Sequence, residues 1–166
     1  MGTKRVGWAR IKSLINENAN QLGPKVMRIT QVTSATTLTA AESGTTVYWT
    51  HGSTHDLTLP AATVGLNFKV VLVAGATAAH NIVSQSSDKI YGKVVVTKAG
   101  SDDKNSTQVV LKGSAVDKVK LHKSTTTLGG DAGDTIELVC IDAGYWTCTA
   151  SLVSSGTPSG TAVLAN

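Results

Sequence analysis

From about residue 27 onward the apolar residues of this chain recur at every second position, in short runs broken by turn residues, and that period confines the fold to sheets. The runs are Val47-Tyr48-Trp49, His55 to Leu59, Leu66 to Val73, Asn81 to Ser84, Lys89 to Thr97, Thr107 to Leu111, Lys118 to Leu121, Thr135 to Ile141 and Tyr145 to Leu152. Between them stand Ser43-Gly44, Gly52-Ser53, Pro60-Ala61-Ala62, Gly75-Ala76, the stretch 99–103, Gly113-Ser114 and Gly129-Gly130-Asp131. Turn signals at intervals of roughly 8–12 residues, with no helical pattern between them, predict an all-β domain. The expected architecture is an antiparallel β-sandwich or a jelly-roll-like barrel. Alternation sets the faces: Leu57 and Leu59 oppose Asp56 and Thr58, and Ile136, Leu138 and Cys140 oppose Glu137, Val139 and Ile141. Phe68, Val70 and Leu72 likewise oppose Lys69, Val71 and Val73. The second faces of these last two strands are also apolar, which predicts a covering layer from an N-terminal helix or from neighbouring subunits, and hence an oligomer.

Charge divides the chain. Of its formal net charge of +4, the whole positive excess lies in the first 28 residues, where Lys4, Arg5, Arg10, Lys12, Lys25 and Arg28 face only Glu17. A basic arm on a nearly neutral body predicts a module that docks by its N-terminus and displays the rest, and it argues against an enzyme. Within the arm, Trp8, Ile11, Ile15, Ala19 and Leu22 fall on one stripe of a helix over 8–22, and Gly23-Pro24 supplies the stop. Residues 1–7 read as an extended basic tip, because Lys4 and Arg5 would oppose the macrodipole at a helix start. The stripe suits packing on its own domain, docking on a partner, or pairing with copies of itself. The expected organisation is an arm and helix over 1–26, a β domain over 27–153 and a flexible tail over 154–166. That tail is rich in Gly, Ser, Thr and Pro and closes on Ala162-Val163-Leu164, the composition of a linker ending in an apolar hook. It reads either as a frayed end or as an arm that adds a strand to a neighbour's sheet edge.

Catalytic and metal-binding patterns are missing from the sequence. His51 and His55 are separated by the Gly52-Ser53 turn and have no following Glu, so they do not form a zincin pair, and with His80 and His122 they read as structural or surface residues. Asp102-Asp103 and Asp131 with Asp134 lie in turns, where Asp is favoured by local backbone bonds, and Gly130 to Asp134 lacks the alternating ligands of a calcium loop. Cys140 and Cys148 flank a turn at Asp142-Ala143-Gly144. A cross-strand disulfide is conceivable there, but no export signal is evident and two reduced, packed thiols are favoured. No phosphate-binding loop or nucleophile elbow is present, and no cofactor is expected. Nucleic acid fits the basic arm, but the body has no basic stripe, and aromatics make up only 4% of the chain. No run of apolar residues is long enough to span a membrane, and neither a membrane nor a small-molecule substrate is an expected partner.

Met1-Gly2-Thr3-Lys4-Arg5-Val6-Gly7, followed by Ala9-Arg10-Ile11, opens a series of motifs that continues through Leu38-Thr39-Ala40-Ala41-Glu42-Ser43-Gly44 and Leu57-Thr58-Leu59-Pro60-Ala61-Ala62. Gly65-Leu66-Asn67-Phe68, Gly133-Asp134-Thr135-Ile136-Glu137-Leu138 and Tyr145-Trp146 complete it. In this order, over most of its length, the chain resembles small virion structural proteins of marine tailed phages, cyanophages among them. The resemblance implies a virion component, made in the host cytoplasm, and most closely a capsid decoration or cement protein. Such proteins are small β-rich homotrimers that clamp the major capsid protein on the outer head surface at threefold or quasi-threefold positions. On that reading Lys4, Arg5, Arg10 and Lys12 meet acidic patches of the shell, while Trp8, Ile11 and Ile15 supply the buried anchor. The alternative is a tail-fibre or receptor-binding module for host attachment.

Overall fold

A computed structural model of the chain describes residue 12 and residues 28–50, 54–76, 78–85, 87–98, 106–122, 128–156 and 164–165. The helix expected over 8–22 falls outside the described residues, apart from Lys12, which is exposed. The strands are β1 (Ile29–Val32), β2 (Thr36–Thr37), β3 (Thr45–Trp49), β4 (His55–Thr58), β5 (Asn67–Leu72) and β6 (His80–Val83), then β7 (Lys89–Lys98), β8 (Ser106–Val116), β9 (Lys118–Leu121), β10 (Thr135–Asp142), β11 (Tyr145–Ser154) and β12 (Leu164–Ala165). They form a seven-stranded sheet in the order β1-β3-β5-β10-β11-β7-β8 and a five-stranded sheet in the order β12-β9-β6-β4-β2. The all-β expectation therefore holds among the described residues, which form two sheets with almost no helix.

Strand pairing departs from the antiparallel expectation. β1, β3 and β5 run parallel to one another, as do β2, β4 and β6, and β11 is parallel to β7. A jelly roll is assembled from antiparallel Greek keys, so this pairing corrects that part of the expectation. The cause lies in how the chain winds. Parallel neighbours need a crossover, usually a helix; here each crossover carries a strand of the opposite sheet, so β3 leads to β4 before the chain returns as β5. Successive circuits then stack as in a solenoid, with Thr45 beside Phe68 in one sheet and His55 beside His80 in the other.

Both sheets turn their apolar faces onto one core. Val47, Trp49, Val70 and Leu138 from the larger sheet share a single buried cluster with Leu57, Ile82, Val119 and Leu121 from the smaller. Each such side chain contributes roughly 1.5–3 kcal/mol by leaving water. Across the layers the Trp49 ring lies 4.9 Å from the His80 ring, and within the larger sheet Phe68 meets Trp146 at 5.9 Å. In β10 the predicted alternation is observed, with Ile136, Leu138 and Cys140 buried and Glu137, Val139 and Ile141 exposed. The second apolar face expected on β5 and β10 is also present, and Val73, Val139 and Ile141 remain 40%, 40% and 56% exposed.

Turn chemistry was read correctly where it is local. β10 and β11 form the expected hairpin around Ala143-Gly144, with Gly144 at φ 79° and the Asp142 carboxylate accepting the Ala143 N–H at 2.8 Å. Gly113-Ser114, in contrast, is not a turn: β8 runs through it, and the surplus residues form a bulge between Leu111 opposite Gly92 and Val116 opposite Ile90. At that point β7 also crowds β11. Gly92 sits at φ 146°, and a Cβ added there would overlap the Cys148 carbonyl group. Gly92→Ala is therefore expected to lower the unfolding free energy by about 3 kcal/mol or more, because both backbone strain and overpacking oppose it. Urea denaturation measures this, and an unchanged midpoint would contradict the close approach of β7 to β11.

Candidate interaction surface

The residues expected to dock on a shell lie in the arm. Lys4, Arg5, Trp8, Arg10, Ile11 and Ile15 lie outside the described residues, and Lys12 is exposed. The arm leads into the edge of the larger sheet, where the Arg28 carbonyl accepts the Thr46 N–H at 2.8 Å and Ile29 is 68% exposed.

Several of the polar groups that could have carried chemistry are engaged in the fold. Asp134 is buried; its Oδ2 accepts the N–H groups of Gly130 at 2.7 Å and Asp131 at 3.0 Å, and its Oδ1 accepts the Val153 N–H at 2.9 Å. One carboxylate thus fastens the loop before β10 to the end of β11. Burial pushes the Asp134 carboxyl up from 3.8 to about 6, against the pull of its three backbone donors. Asp131 is turned to the Ala132 N–H at 2.8 Å, so the two acids do not converge on a shared ligand position. His80 is fully buried, with Nδ1 2.9 Å from the Ala78 carbonyl oxygen and its ring 6.3 Å from that of His55. His122 is half-buried, and His51 and Asp102-Asp103 lie outside the described residues. Among the described residues, no three His, Cys, Asp or Glu side chains are placed to hold a metal ion.

The two thiols are free and buried. The hairpin brings their strands together, but the register sets Cys148 opposite Leu138 and Cys140 opposite Trp146, so they are not directly paired. Burial raises both, Cys148 to about 12, which leaves little thiolate to react. Ser84 is equally committed, with its Oγ 2.6 Å from the Asp88 carbonyl oxygen and 3.0 Å from that of Asp117. Lys89 forms an ion pair with the Asp117 carboxylate beside it.

What remains available is the outer face of the seven-stranded sheet. A depression of about 190 Å³ opens there, lined by Thr46, Asn67, Lys69, Glu137 and Val139. Lys69 and Glu137 cancel each other across it at 3.0 Å, a half-exposed pair of the kind worth about 0–1 kcal/mol. Further along the same face the rings of Tyr91 and Tyr145 meet edge to face at 5.8 Å. Parallel pairing of β7 with β11 joins them, setting Tyr145 beside Lys89 and Tyr91 beside Thr147. A surface of hydroxyls, an ion pair and apolar side chains is suited to contact. Among the described residues no helix is long and apolar enough to cross a membrane.

The chain matches no family model, no curated protein and no solved structure. Around the turn before β3, Leu38 is buried, Glu42 accepts the Thr39 N–H at 2.7 Å, and Ser43 Oγ accepts that of Asn67 at 3.0 Å. Leu57, Leu59 and Trp146 enter the core, and Asp134 ties the loop before β10.

The sign of the Asp134 effect on stability is determined by its raised carboxyl. The folded state holds a proton that the unfolded chain releases above about 4, so this contribution is complete below that value and is lost as the pH rises through about 6. Asp134→Asn turns an amide donor toward a backbone donor and is expected to cost about 1–3 kcal/mol. It also removes the titration. The melting temperature of the natural chain should exceed that of the variant most near pH 4, and the gap should narrow toward pH 7; a gap that widens would contradict the assignment.

Proposed function

We propose that this chain is a non-catalytic virion protein, a capsid decoration or cement protein that binds the outside of a phage head as a homotrimer and stabilises it. The observation that carries this reading is the partition of charge, with the positive excess confined to the first 28 residues and the remainder nearly neutral. A clustered charge of one sign steers docking, whereas a neutral body does not compete with it. In this role residues 1–26 are the clamp and residues 27–153 the displayed body, a sandwich-like pair of sheets. Lys4, Arg5, Arg10 and Lys12 face acidic patches of the major capsid protein, and Trp8, Ile11 and Ile15 form the anchor. Three such footprints held in one trimer bind as a unit, each raising the effective concentration of the next.

A second reading, a receptor-binding module at the tail, is favoured by one observation, the aromatic pair of Tyr91 and Tyr145 on the broad sheet face. Copy number separates the two, since decoration approaches hundreds of chains per particle and fibres tens, on the order expected from symmetric assembly.

Replacing Trp8 and Ile11 together with Asp removes the apolar anchor while leaving the cations in place. Loss of two buried anchors is expected to weaken binding to empty heads by about 100-fold or more. Co-sedimentation with heads at low and high salt measures it, with the natural chain also weakening as salt screens the arm. Full occupancy by the double variant would overturn the anchor assignment.

A further inference from the structure

Strand register lays out the outer side chains of the seven-stranded sheet in cross-strand rows. One row runs Asn67, Val139, Thr147 and Tyr91, on β5, β10, β11 and β7. The next lies two residues, or roughly 7 Å, along the same four strands and runs Lys69, Glu137, Thr149 and Lys93. Beside the Tyr91 end of the first row stands Tyr145, which is exposed and whose ring meets that of Tyr91 at 5.8 Å and 63°. The shallow depression lies at the opposite end, where Asn67, Lys69, Glu137 and Val139 meet. Four neighbouring strands give each row a length of about 14 Å.

We propose that these two rows bind an uncharged polysaccharide chain. A sugar ring carries an apolar C–H face and a rim of hydroxyls, so its receptor must offer an aromatic surface and a line of hydrogen-bonding groups side by side. C–H groups are attracted to the negative face of an aromatic ring, and two tyrosines that brace each other lose little rotamer freedom on binding. The adjacent row supplies the Thr149 hydroxyl, the Glu137 carboxylate and the Lys93 ammonium, the small set of polar groups that fixes orientation in a ligand site. Lys69 and Glu137 neutralise each other at 3.0 Å, so the rows hold no cluster of one sign that would select a charged ligand. The rows are longer than one sugar ring, which suits a chain laid across the strands, with the depression as a hollow for its last unit. Glycan binding gives this face a ligand whether the chain sits at the head or the tail, and so goes beyond both readings above.

The test is a printed glycan array probed with the full chain. It carries neutral gluco-, galacto-, manno-, xylo- and fuco-oligosaccharides beside sulfated and uronic-acid chains. The expected result is binding to at least one neutral chain that added salt does not weaken. Tyr91→Ala with Tyr145→Ala should reduce it by about 10-fold or more, and Tyr91→Phe with Tyr145→Phe, which keeps both rings, should retain it. Circular dichroism checks that each variant is folded. Should the alanine pair fail to fold, Thr149→Arg, at the exposed position between Glu137 and Lys93, is expected to weaken binding to the same extent. Absence of binding to every neutral chain overturns the inference and leaves the virion readings standing. Binding to the acidic chains alone, weakened by salt, assigns the contact to the basic arm and also overturns it. Neutral-chain binding that the folded alanine pair leaves unchanged overturns the assignment to these rows.

Discussion

Each circuit of this chain buries residues of both sheets in the same core. Trp49 illustrates the constraint: it ends β3 in the larger sheet, is fully buried, and rests against His80 of the smaller sheet, which belongs to the following circuit. Because the chain alternates between layers, β3 and β5 are connected through β4 of the opposite sheet, and their parallel sense is a consequence. The β10–β11 hairpin then fills the gap between β5 and β7, pairing antiparallel with one and parallel with the other. Loss of the common core would release all of these pairings together, which is the physical content of cooperativity in a two-layer domain.

That arrangement leaves the described polar side chains with structural duties. Asp134 holds a loop, Asp88 accepts the Ala62 N–H at 2.7 Å, Asn81 donates to Asp56 at 2.6 Å, and Ser84 sits between two backbone carbonyls. Groups committed in this way are poor candidates for catalysis, which requires a donor or acceptor free to change partners during a reaction. A neutral, well-tied body with a basic segment at one end fits attachment and display.

Local features were legible in the sequence, and pairing was not. Ile136, Leu138 and Cys140 alternate with Glu137, Val139 and Ile141 whichever way a neighbour runs, so alternation marked the buried face of β10 without revealing that β11 would be parallel to β7. β1 and β2 escaped notice because Thr30, Gln31, Thr36 and Thr37 give short polar runs whose strand character comes from stacking on β3 and β4. Gly113-Ser114 carried a turn signal that pairing with β7 overrode. Asp134 was visible as a turn residue, but its three backbone donors come from Gly130, Asp131 and the distant Val153, and only the fold assembles them. The tyrosine pair was hidden for the same reason. The pairing of Leu164–Ala165 with β9 of the same chain required the structure.

The most direct measurement is a symmetry-averaged electron cryomicroscopy map of the virion that carries this chain. The account predicts density for the two-sheet body at the threefold and quasi-threefold positions of the head, with the N-terminal segment pressed against the shell. Density restricted to the tail, or absence of the chain from the particle, would contradict it.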